Sequence, residues 1–64
     1  MTTTTALLVG RALRVERVIA GLSLSAVAKE VGVSIGHLSR MESGERTVTD
    51  EQAERIRAAI KALS

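Results

Sequence analysis

The sequence predicts an all-α domain, a compact bundle of about four short helices. Three observations predict it. Apolar residues recur at helical spacing, and Ala, Leu, Arg and Glu dominate the periodic stretches. There is no Pro in the chain to interrupt them. Helix-start and helix-stop residues also divide the 64 residues into segments of helical length.

The elements follow in order. "TTTT" at 2–5 reads as a frayed end, with Thr4 or Thr5 as an N-cap, so residues 1–5 are expected to be flexible and 6–64 to form one domain. Helix 1 is expected over roughly 6–20 and stops at Gly21. Helix 2 spans roughly 24–31, between an N-cap at Ser23 and a stop at Gly32. Helix 3 spans roughly 35–42, capped by Ser34 and ended by Gly44. Helix 4 starts after Thr49, where "TDEQ" is a capping box, and runs to about Leu63. Asp50 and Glu51 favour its positive end and Lys61 its negative end.

Composition narrows the function. A chain this short buries only ~60% of its unfolded surface, so packing or a second subunit has to supply stability. With no Cys and one His, neither a disulfide nor a structural zinc site is expected, and no cofactor. No nucleophile–base pair is evident, so no enzymatic activity and no small-molecule substrate are expected. No aromatic residue is present to stack unpaired bases, which speaks against a single-strand binder. No apolar run approaches the ~18 residues that span a bilayer, and "ALLV" at 6–9 is too short for a secretory leader. A cytoplasmic protein with no membrane partner is expected. The net charge of +2 allows a polyanionic partner without demanding one.

The informative stretch is "AKEVGVSIGHLSRMESG", 28–44. Gly costs ~1 kcal/mol relative to Ala inside a helix, yet this segment holds Gly32 and Gly36. Gly32 falls between two helices, where the chain must turn sharply. Ala28 is small, which lets the next helix cross closely. Val27, Ala28, Val31, Gly32, Val33, Leu38 and Met41 together fit a helix-turn-helix unit.

At these residues the chain resembles the Cro/C1-type (XRE, lambda-repressor-like) helix-turn-helix family. Arg17, Gly21-Leu22-Ser23, Val27-Ala28, Gly32-Val33-Ser34, Leu38 and Glu42-Ser43-Gly44 carry the resemblance, which covers about residues 9–60. It implies that helix 3 enters the major groove of a double-stranded operator while helix 2 lies across the backbone. It also implies a partly buried ion pair between Arg17 and Glu42; the plainer alternative is two separate surface charges.

The base-reading candidates are Ile35, Gly36, His37, Ser39 and Arg40. Arg40 suits a bidentate contact to guanine, and Ile35 a thymine methyl. Gly36 would allow close approach. Four of them have an ordinary alternative: a solvated Arg40 or one paired with Glu30 or Glu45, a surface His37, an Ile35 at the rim of the core, a Gly36 that arose by neutral drift. Ser23, Ser25, Ser34, Arg46 and Thr47 are candidates for phosphate contact, aided by free N–H groups at the start of helix 2. Family members often place a phosphate-contacting Gln where this chain has Leu24.

Helix 1 carries more apolar surface than one small core requires. Val9, Leu13, Arg17 and Ala20 face inward by the family alignment, leaving a second stripe of Leu8, Ala12, Val15 and Ile19. Either helix 4, through Ala53, Ile56, Ile60 and Leu63, covers that stripe, or Leu8, Val15 and Ile19 form a partner surface. Family members usually have a fifth helix, often used in dimerisation, before which this chain ends; either helix 1 supplies the interface instead or the free protein is a monomer. A homodimer, at least on DNA, is the expected form.

The reading that results is a sequence-specific, repressor-like transcriptional regulator, of a size that suits a phage or mobile element. An antitoxin-like or anti-regulator module that uses the same fold to hold a protein is the alternative. A nonspecific nucleoid binder would carry more charge.

Overall fold

A computed structural model describes the backbone of residues 2–64 and the side chains of 8–64. Four helices run α1 (Thr2–Ile19), α2 (Leu24–Val31), α3 (Ile35–Ser43) and α4 (Asp50–Leu63), and no strand occurs among these residues. α1 packs on α3 and α4, and α2 packs on the same two helices.

α1 starts at Thr2, about one turn before the expected start at residue 6. Nothing between Thr2 and Val9 stops a helix, and Thr carries only a modest propensity penalty. The expected cap positions, Thr4 and Thr5, thus lie within the helix, and their side chains are outside the described residues. The other three helices follow their cap residues. Ser23, Ser34 and Thr49 accept from the backbone N–H groups of Ala26, His37 and Gln52. At Thr49 the box closes, with the Thr49 N–H donating to the Gln52 side chain at 3.0 Å. Each such cap is worth ~1 kcal/mol. The turn between α2 and α3 passes through Gly32 at φ 90°. A Cβ there would meet no atom within 4 Å, so the requirement for Gly is conformational rather than steric.

The core is Leu13, Val27, Ala28, Leu38, Met41, Val48, Ala53, Ile56, Ala59 and Ile60. Val9, Ala20, Leu22, Leu24, Val31 and Val33 pack around it, half-buried. α4 turns Ala53, Ile56, Ala59 and Ile60 inward. It does not cover the second stripe of α1, contrary to the plainer expectation: Leu8, Val15 and Ile19 remain exposed. They lie on the side of α1 away from Leu13, and α4 packs on the inner side.

Gly10 holds α1 against α3. A Cβ at this position would collide with the carbonyl oxygen of Met41 and lie 3.1 Å from that of Glu42. Gly10 is not among the residues that the helix-turn-helix spacing singles out. Its signal was present: a Gly inside an otherwise uninterrupted helix is unfavourable unless another backbone comes close.

Candidate nucleic-acid interface

α3 is held firmly on one side. Leu38 and Met41 are completely buried, and Glu42 is 5% exposed. Arg17 of α1 grips the Glu42 carboxylate with two parallel bonds, Nε to Oε2 at 2.8 Å and Nη2 to Oε1 at 3.0 Å. Its remaining nitrogen, Nη1, donates to the Leu22 carbonyl at 2.8 Å. No buried side-chain polar atom lacks a partner among the described residues. One guanidinium therefore ties α1, the α1–α2 turn and the end of α3 together. The bond to Glu42 raises the Arg17 pKa, burial opposes this, and the charge of Glu42 adds to the rise. A raised pKa on a base stabilises fully at every pH below its unfolded value and is lost only above it. The guanidinium's contribution is thus constant through the neutral range.

The other side of α3 is open. Gly36 and Arg40, one turn apart, lie outward, Ser39 is exposed beside them, and His37 is half-buried on the flank. Ile35 opens the helix and is 50% exposed. Among the described residues Arg40 forms no ion pair with Glu30 or Glu45. Glu45 instead accepts from the Ser43 hydroxyl at 3.0 Å. Arg40 lies back toward Gly36, where an added Cβ would sit 3.8 Å from its Nη1. The face thus carries one free guanidinium, two small residues and an apolar tip on a rigid helix.

The phosphate candidates are all exposed. Ser23 and Ser34 each spend an oxygen lone pair on capping, at 3.0 Å in both cases. Their hydroxyl protons remain free to be donated. Ser25, Arg46 and Thr47 are exposed. The Glu45 and Arg46 N–H groups donate to the Arg40 carbonyl at 2.9 and 3.2 Å, which ties the loop that carries Arg46 to the end of α3.

One cleft brings together side chains that are far apart in sequence. Arg14, Arg17, Leu24, Ser39, Glu42 and Ser43 line it. Leu24 is half-buried here, and the exposed Arg14 stands beside it. Sequence reasoning did not select Arg14. Its only signal was an exposed basic position one turn before Arg17.

Among the described residues no group of three or more potential ligands could hold a metal ion, and no helix is long and apolar enough to cross a membrane. A family model described as a helix-turn-helix domain matches residues 8–63. No curated protein and no solved structure matches the chain.

Proposed function

This chain belongs to the helix-turn-helix domain family of DNA-binding regulators, and from that premise we propose that it is a sequence-specific, repressor-like regulator of transcription. α3 reads double-stranded DNA from the major groove. Arg40 makes a bidentate contact to guanine O6 and N7, Ile35 touches a thymine methyl, and Gly36 lets the helix backbone approach. His37 and Ser39 add contacts at the flanks. Ser23, Ser25, Ser34, Arg46 and Thr47 hold phosphates, and Arg14 supplies a contact on the side where Leu24 cannot. The protein works on the nucleoid, in the cytoplasm, by occupying promoter DNA in pairs.

One observation carries this reading. The exposed face of α3 holds an unpaired Arg40, while the opposite face is fixed by Leu38, Met41 and the Arg17–Glu42 pair. A free guanidinium on the outer face of a helix that is fixed from behind suits base readout. Selection of bound duplexes from a random pool near physiological salt tests it. An enriched motif containing a guanine that depends on Arg40 is the expected result. Folded protein that enriches nothing would move the function to a protein-binding module, the reading favoured by the exposed Leu8, Val15 and Ile19.

A further inference from the structure

Surface helices ordinarily place polar residues opposite the core. α1 does not. Val9, Leu13, Arg17 and Ala20 turn inward, and the opposite side presents Leu8, Ala12, Val15 and Ile19. Leu8 is 61% exposed, Val15 54% and Ile19 80%, with Val18 next to them at 57%. The intervals from Leu8 to Ala12, Val15 and Ile19 are four, three and four residues, the spacing of a helix–helix seam. A helix that is apolar on both faces is one that is buried on both.

Charge selects the occupant. With Leu8 and Val15 at d, and Ala12 and Ile19 at a, Arg11 falls at g and Glu16 at e of the following heptad. The two lie on opposite flanks of the seam. The Glu16 carboxylate is held on its flank by Arg57 of α4, at 3.0 Å, and stays partly exposed. Arg11 is exposed and has no ion pair among the described residues. A basic rim alone would fit an acidic partner. A seam with a free guanidinium on one flank and a partly exposed carboxylate on the other is complementary to itself. In a parallel pair, g of one helix meets e of its partner; in an antiparallel pair, g meets g and e meets e. Only the parallel arrangement sets each Arg11 beside Glu16 of the partner subunit.

We propose that the outer face of α1 is a self-association surface, on which a second copy of this chain packs parallel and in register. Leu8, Ala12, Val15 and Ile19 of the two copies form the seam, and two Arg11–Glu16 pairs flank it. The proposal does not rest on DNA reading, and its test contains no DNA.

The chain has no Cys, so a single introduced thiol reports one contact. In register, the Leu8→Cys chain should oxidise to a covalent dimer at concentrations where sedimentation shows dimer, while an antiparallel pair would hold its thiols too far apart. Sedimentation at up to about 1 mM should show a monomer–dimer equilibrium, as a short seam requires. Ile19→Asp should keep the helical circular dichroism and weaken the dimer at least ~100-fold. Arg11→Glu and Glu16→Arg should each weaken self-association, and an equimolar mixture of the two should recover it as a heterodimer. A chain that stays monomeric throughout, a Leu8→Cys chain that stays reduced while folded, or charge variants that fail to recover on mixing would each overturn the proposal.

Discussion

Two glycines inside helices contrast two regions of the molecule. At Gly10, where α1 crosses α3, an added Cβ would strike the Met41 carbonyl. At Gly36, on the open face of α3, it would meet only the Arg40 guanidinium, at an ordinary 3.8 Å. The first glycine serves the fold. The fold makes no steric demand for the second. A helix that is locked on one side and unencumbered on the other separates two tasks: the inner side sets its position, and the outer side is left for recognition.

Breaking the locked side should give the largest effect. Glu42→Ala leaves the Arg17 guanidinium without its carboxylate in a site only 12% exposed. It should cost ~3–5 kcal/mol in urea unfolding, enough to unfold much of a domain this small. A loss below ~1 kcal/mol would mean that water readily replaces the carboxylate through the adjoining cleft. Gly10→Ala should come next, at ~1–3 kcal/mol of destabilisation, because its neighbour is backbone and cannot rotate away. That cost should exceed the ~1 kcal/mol that Ala contributes as a helix former. A stabilised Gly10→Ala chain would show that α1 can shift off α3 freely.

The open side should respond differently. Arg40→Ala should leave the unfolding midpoint nearly unchanged and cost ~1–3 kcal/mol of binding at one base position. Equal loss on every duplex would identify Arg40 as a phosphate contact instead. Gly36→Ala should give the smallest change and the sharpest contrast with Gly10→Ala. Thermal melts should show up to ~1 kcal/mol of added stability, while titration with the selected duplex should show weaker binding. If affinity is unchanged, close approach is not why Gly stands there.

Much of this architecture is legible in the residues. Ser23, Ser34 and Thr49 mark their helix starts because capping is a local interaction, made within three residues. Gly32 marks the turn because positive φ is a property of one residue. The Arg17–Glu42 pair was accessible only through family resemblance, since its partners are 25 positions apart. α1 starts before the predicted position because four Thr residues are weakly informative about either helix or coil.

The sequence alone was enough for the all-α class, the helix-turn-helix unit and the outward face of α3, because spacing and caps act over a few residues. Three things waited for the tertiary structure. Gly10 turned out to be the contact between α1 and α3. Arg14 came to line a cleft with Leu24 and Ser39. The second stripe of α1 proved uncovered, because α4 spends its apolar residues on the core. Each depends on which helix lies against which face, and that is decided by crossings between distant segments, which no local spacing encodes.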